Sequence, residues 1–425
     1  MNKILVHLEE QNLKLVKYIK KEEYKLEEIS KTSFYVYGSP ERLERIENIL
    51  LEKYNISTII KNNEENLNKF KKSTTSYKIK SKDKTLKKKG IPSPYFYSNQ
   101  MSKIYGLTAK NSLRVNIGII ELGGGYYSSD LQNYWRTIGL TNFPIVNTIS
   151  IDGATNNPLD IDSSIEVALD IQIVGGICPK STINVYFAPN SDQGFYHAIA
   201  RAINDKCSTI SISWAGPEMY WSPSILTTYD NLFKVAVSKG ITICVASGDT
   251  SSNNGTNTNV VYFPGSSPNV LCCGGTKLIC PNLSYDNSTI ETTWYDSKTE
   301  GSSGGYSSVF LTPTYQLNNV PNYNNIYRGI PDVSGNAEPS TGWIIIYRNT
   351  KYAVGGTSAV APMWAGYLAA INCKTFANNI IYRLKGIGFH DITTGNNEGF
   401  NASSGWDPCT GLGSPNGKIL SNYFV

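Results

Sequence analysis

Residues 182–249 read TINVYFAPNSDQGFYHAIARAINDKCSTISISWAGPEMYWSPSILTTYDNLFKVAVSKGITICVASGD, and their rhythm decides the fold. Three short, nearly continuous apolar runs (TINVYFAP, CSTISISWAG and ITICVASGD) alternate with two segments of helical period, DQGFYHAIARAIND and ILTTYDNLFKVAVSKG. A strand that is apolar on both faces belongs inside a sheet covered on both sides. Strands separated by amphipathic helices run parallel. The reading is therefore an α/β domain with a mostly parallel sheet and helices on both faces. In such sheets ligands collect at the carboxyl ends of the strands. Asp249, just after ITICVASG, is placed there.

The same pattern extends upstream. NIGIIEL (116–122) reads as a strand, and SSIEVALDIQIVGG (163–176) as a helix ended by Gly175 and Gly176. Further upstream the composition changes twice. Residues 1–65 read as a small α/β unit. Its strands are KILVHLE and SFYVYGS, its amphipathic helix opens at Ser39-Pro40, and ISTIIK closes it. Residues 66–91 form a linker whose stretch 69–89 holds ten lysines and one aspartate. The domain from 92 to 425 follows.

The overall net charge of +5 belongs to that linker, because residues 1–68 sum to −1 and those after Lys89 to −3. A lysine run without arginine and with two aromatics, Phe70 and Tyr77, suits no specific nucleic-acid recognition. It reads as a solvated, protease-sensitive connector. No apolar run is long enough to span a bilayer, and the first residues carry charge too early for a secretory apolar core. The eight cysteines show no CxxC and no metal-site spacing, so buried free thiols are expected.

Two stretches carry candidate chemistry. In SSIEVALDIQ, Glu166 and Asp170 stand four apart and share one helix face amid apolar neighbours. Such a pair is either a solvated face or an acid/base pair in which one member holds a proton. In GGTSAVAP, Ser358 precedes an apolar helix with Pro362 near its first turn. It is either a helix cap or a nucleophile whose developing charge the helix N-terminus favours. The chain has only three histidines, His7, His197 and His390, and none lies where a histidine-based triad needs one. Downstream, HDITTGNNEGFNASSGWDPCTGLGSPNG (390–417) is a long irregular loop with Asp391 and Asp407. These aspartates either cap turns or supply hard ligands to calcium.

Taken in order, IIELGGGY, IEVALDI, SISWAGPE, VASGDT, GGTSAVAP and FHDITTG…SGWDPCTGLGSP resemble the sedolisins, or serine-carboxyl peptidases, and most of all their kumamolisin-type members. The resemblance covers residues 92–425 and implies a subtilisin-like fold. It also implies an acid-acting endopeptidase with Ser358 as nucleophile, Glu166 as general base and Asp170 orienting it. Asp249 would serve the oxyanion hole, and Glu121 and Trp214 would extend the hydrogen-bond network behind the carboxylates. One structural Ca2+ is implied, held by the Asp391 and Asp407 side chains and the carbonyls of Ile392, Ser403 and Gly405. The N-terminal unit resembles half of the family's prosegment, which implies a zymogen. Ser251 stands where the family often has glycine, and Val360 where it has a small polar residue. The expected partners are protein or peptide substrates, with no specific nucleic acid, no membrane span and a monomeric state. The family points to a secreted or acidic compartment. A tripeptidyl exopeptidase of the same family and a non-catalytic binding protein on this fold are the alternatives.

Overall fold

The computed structural model describes residues 94–108, 114–253, 258–320 and 326–424, together with six strand segments before residue 79. Four of these segments, β1 (Lys3–His7), β2 (Lys25–Glu28), β3 (Ser33–Tyr37) and β4 (Ile59–Lys61), form an antiparallel sheet in the order β2-β3-β1-β4. Three of the strands were legible in the sequence; β2 was not. The helix expected after Pro40 lies outside the described residues. The other two segments, β5 (Lys71–Lys72) and β6 (Thr75–Lys78), are within the lysine-rich linker.

The first described helix is α1 (Ser98–Tyr105). After it, β7 (Asn116–Glu121), α2 (Ser128–Thr137), β8 (Ile145–Ser150), α3 (Ile161–Ile177), β9 (Thr182–Phe187), α4 (Asp192–Asn204) and β10 (Thr209–Ile212) follow the expected alternation. The apolar run of the last strand breaks at Ser213 and resumes as β11 (Trp214–Pro217), before α5 (Pro223–Ser238) and β12 (Thr242–Ala246). Next come β13 (Tyr262–Phe263), β14 (Leu271–Ile279), β15 (Ile290–Thr293), β16 (Tyr295–Ser297), β17 (Glu300–Gly301), β18 (Gly305–Leu311), β19 (Tyr327–Ile330) and β20 (Val333–Asn336). The hairpin of β21 (Trp343–Tyr347) and β22 (Thr350–Gly355) leads into α6 (Val360–Ala370).

The central sheet has eight strands in the order β15-β14-β12-β10-β7-β9-β8, with β20 also on β14. All its pairs are parallel except β14 with β15. Successive side chains of β12 serve opposite layers. Ile243 and Val245 pack under α4 and α5, whereas Cys244 and Ala246 pack under α3 and α6. The period of two in the sheet thus separates the two helical layers. Helix α3 is buried almost all round, as a helix sandwiched between a sheet and other helices must be.

Gly175 and Gly176 do not end α3, which continues to Ile177. A Cβ on Gly175 would meet the Trp135 ring at 2.7 Å, and one on Gly176 would meet Ser98 Oγ at 1.8 Å. The glycines let α1 and α2 press against α3; they are packing residues, and no stop.

Candidate active site

The carboxyl ends of β7, β10 and β12 bring three stretches of sequence together. Glu121 is the last residue of β7, Ser213 and Trp214 follow β10, and Asp249 lies three residues after β12. Helix α3 carries Glu166 and Asp170 one turn apart, and both are fully buried, as is Glu121. The hydroxyl of Ser213 donates to Asp170 Oδ2 at 2.9 Å and Oδ1 at 3.1 Å, and lies 3.4 Å from the Ser358 carbonyl. Trp214 Nε1 donates to Glu121 Oε2 at 3.0 Å.

Three buried carboxyl groups this close cannot all be ionised. Burial pushes Glu121 well above the usual carboxylate range, and the charge of Glu166 adds to it, against the Trp214 bond. Burial likewise raises Asp170, helped by the charges of Glu166 and Glu121 and opposed by the Ser213 bond. Asp170 is also within hydrogen-bonding reach of Glu166, and two carboxyl groups can share a hydrogen bond only through a retained proton. The solvated-face alternative for the Glu166–Asp170 pair therefore falls away.

Ser358 sits on a single 3-10 turn, Thr357–Ala359, between β22 and α6. Gly356 has a φ of 106°, which lets the chain turn from the strand into the helix. The Ser358 side chain is fully buried, and its Oγ meets no hydrogen-bond partner among the described residues. It makes no side-chain cap for the helix it precedes. Val360 is buried beside Gly335 and takes part in packing only.

Asp249 is held from one side. Its Oδ1 accepts the Thr357 N–H and the Thr357 hydroxyl, each at 2.8 Å. Its Oδ2 is buried and meets no partner among the described residues. Burial raises Asp249 to about 6, opposed by the two Thr357 bonds and assisted by the charge of Glu300. In acid this side chain is neutral and can donate a hydrogen bond. Ser251, two residues on, adopts a φ of 56°, the region glycine favours, and its hydroxyl bonds the Ser297 carbonyl at 2.9 Å.

The histidines and thiols do other work. His197 on α4 is buried and pairs through Nδ1 with Asp152 Oδ2 at 2.6 Å. His390 stacks on Tyr285 with ring centroids 3.4 Å apart, and burial lowers it to about 4. The side chain of His7 lies outside the described residues. All eight cysteines are buried and free. Burial pushes Cys207 and Cys373 up to about 11, far from a reactive thiolate.

Two short parts of the linker, which reads from its composition as a solvated connector, pair as strands. Strand β5 pairs antiparallel with β11, Lys72 opposite Trp214 and Lys71 opposite Ala215. Strand β6 pairs antiparallel with β22, from Thr75 opposite Gly355 to Lys78 opposite Tyr352. Strand β5 thus lines up with the strand that follows Ser213, and β6 with the strand that leads to Ser358. Sequence reasoning missed this. It also missed Ser213 and Thr357, although each adjoins a residue it singled out.

In the C-terminal loop, Asp391 and Asp407 reach the same short stretch. Asp391 Oδ2 accepts the Gly405 N–H at 3.0 Å and lies 3.4 Å from the Ser404 hydroxyl. Asp407 Oδ2 accepts the Ser403 N–H at 3.0 Å, and Oδ1 accepts the Cys409 and Thr410 N–H groups. The carbonyls of Ile392, Ser403 and Gly405 accept no hydrogen bond among the described residues. No group of three or more His, Cys, Asp or Glu side chains is placed to hold a metal ion among those residues.

Comparison with known proteins gives a consistent answer. The profile of the subtilase family matches residues 149–406. Kumamolisin of Bacillus sp. (strain MN-32) is 43% identical over 328 residues, which is 72% of this chain and 59% of that protein. Sedolisin of Pseudomonas sp. (strain 101) is 30% identical over 355 residues, 74% of this chain and 59% of that protein. The chain thus spans about three fifths of the length of these curated relatives. The solved structure of Pseudomonas sedolisin complexed with two molecules of pseudo-iodotyrostatin superposes with a TM-score of 0.68 at 28% identity. That match covers 77% of this chain and 97% of the other.

Proposed function

Since the chain belongs to the sedolisin family, as a kumamolisin-like member, we propose that it is a serine-carboxyl endopeptidase that works in acid and is made as a zymogen. The observation that carries this reading is that two buried oxygens, Ser358 Oγ and Asp249 Oδ2, meet no hydrogen-bond partner among the described residues, while Thr357, next to Ser358, bonds the other oxygen of Asp249. One is a nucleophile without a histidine; the other is an acid free to donate.

Glu166 takes the Ser358 proton as Oγ attacks the substrate carbonyl carbon, and Asp170, held by Ser213, orients Glu166. The protonated Asp249 donates from Oδ2 to the carbonyl oxygen as it becomes an oxyanion. Glu166 then gives its proton to the leaving nitrogen, and the C–N bond breaks to leave an acyl ester on Ser358. Water, deprotonated by Glu166, attacks that ester. The proton returns to Ser358 and the acid product leaves. Trp214 and Glu121 support the carboxylates from behind.

The antiparallel pairing of β5 and β6 supports the endopeptidase and zymogen readings together. A chain lying along β11 and β22 takes the place a peptide substrate needs, and it continues N-terminally to β4, whose last residue, Lys61, stands ten positions before Lys71. An endopeptidase must admit a chain that extends further towards its N-terminus than a tripeptidyl exopeptidase needs, and this pairing supports that reading. Self-cleavage is proposed within the lysine-rich linker, residues 66–91. The purified chain incubated between pH 3 and pH 7 should shorten itself there and digest casein in acid, with the new N-terminus read by mass spectrometry. A full-length chain that stays intact and inert across this range defeats the proposal.

Two aspartates and three carbonyls that accept no hydrogen bond among the described residues suit a hard, oxygen-seeking cation, so the C-terminal loop fits one structural Ca2+. Bound there, the ion would tie Asp391 and Ile392 to Ser403, Gly405 and Asp407 and brace the loop. A chelator is expected to lower Tm by several degrees, reversed by added Ca2+. Superimposable melting curves with and without chelator would refute the site.

A further inference from the structure

Thr357 stands next to the nucleophile, yet both of its donors meet one oxygen of Asp249. The direction of its hydroxyl is settled by a third neighbour. The Gly248 N–H, which can only donate, lies 3.1 Å from Thr357 Oγ1. That oxygen is therefore an acceptor towards Gly248, and its own proton goes to Asp249 Oδ1. An oxygen that already receives two hydrogen bonds is a poor place for a carboxylic proton, because the O–H there would face two donors. The proton of neutral Asp249 belongs on Oδ2.

The turn that carries Asp249 is clamped so that this choice keeps its direction. Gly301 N–H donates to the Asp249 carbonyl at 3.0 Å, and Ser303 N–H to the Gly248 carbonyl at 2.9 Å. Ser303 Oγ accepts the Thr250 N–H at 3.2 Å. Of the titratable groups nearby, Glu300 acts on Asp249 from β17, and Tyr262 acts from β13, its hydroxyl 2.6 Å from Thr250 Oγ1. Helix α3, which carries Glu166 and Asp170, packs against the neighbouring Thr357–Ala359 turn. None of these makes a hydrogen bond to Asp249 among the described residues.

We infer that Thr357 is a positioning residue that assigns the proton of Asp249 to Oδ2, the oxygen that faces the oxyanion. Its role parallels that of a carboxylate which selects the tautomer of a catalytic imidazole, with a hydroxyl selecting the proton position of an acid. The inference rests on Asp249 being the oxyanion donor.

The test is Thr357→Val beside Thr357→Ser, with kcat and KM of the self-processed enzyme measured against pH on a peptide substrate. Valine keeps the shape and the backbone N–H and removes only the hydroxyl. It should lower kcat about three- to tenfold, the worth of one hydrogen bond, and leave KM within twofold. The alkaline limb of the kcat profile should move to higher pH, because a bond that favoured ionised Asp249 is gone. Serine should restore both. A lower kcat with an unmoved limb, or a serine variant as impaired as valine, would reduce Thr357 to a packing residue. Should valine fail to fold, Thr357→Ala gives the same two readouts. If Asp249→Ala is itself fully active, the oxyanion reading fails first; if it is inactive and the limb still does not move, only the role of Thr357 fails.

Discussion

A Glu166→Gln enzyme is expected to lose about two to four orders of magnitude in kcat with little change in KM, the usual contribution of a general base. Glutamine fills the same space on α3 but cannot take the Ser358 proton. The loss should extend to self-shortening, so the variant accumulates at full length. Stability separates this outcome from misfolding. Glu121 and Asp170 have raised folded-state pKa values, in part because of the charge of Glu166. The folded state therefore holds protons that the unfolded chain releases, and these groups cost stability as pH rises. Removing the Glu166 charge relieves part of that cost. Tm at pH 7 should be equal to or above that of the parent chain, and activity absent. A Glu166→Gln chain that cleaves casein at the parental rate would remove Glu166 from the chemistry.

Asp249→Ala should keep the fold and lower kcat about 100- to 1,000-fold, the cost of one oxyanion donor. The sign of the pH effect follows from Asp249 itself. Its side chain is protonated below about 6 and ionised above. Once ionised, it repels the oxyanion it should stabilise. The parent enzyme is therefore expected to be active in acid and to lose activity about tenfold per pH unit above that point. The alanine variant has no such group, so its small residual rate should lack that limb. Parental turnover by Asp249→Ala at pH 4 would end the assignment.

These effects converge on a set of residues that was only partly legible in the sequence. Glu166 and Asp170 could be paired in advance, because four residues along a helix return to the same face. Asp249 could be placed, because a residue just after an apolar strand of a parallel sheet lies at the carboxyl edge. Ser358 could be put before a helix, because Gly-Gly followed by an apolar run is a local signal. Each of these rests on a repeat a few residues long. Gly175 and Gly176 show the limit. Their local meaning is a helix stop, but their use is contact with Trp135 and Ser98, which are distant in sequence.

The alternation of strands and helices, the position of Ser358 before its helix and the carboxylate pair on α3 were thus determined by the chain alone, since backbone periodicity is a short-range property. Ser213 under Asp170, Thr357 against Asp249 and the lysine-rich strands beside β11 and β22 were decided by the tertiary structure. Hydrogen bonds between segments far apart in sequence depend on how those segments are brought together in space. A lysine-rich stretch that reads as solvated can pair as a strand, because its backbone groups bond β11 and β22 whatever charge its side chains carry.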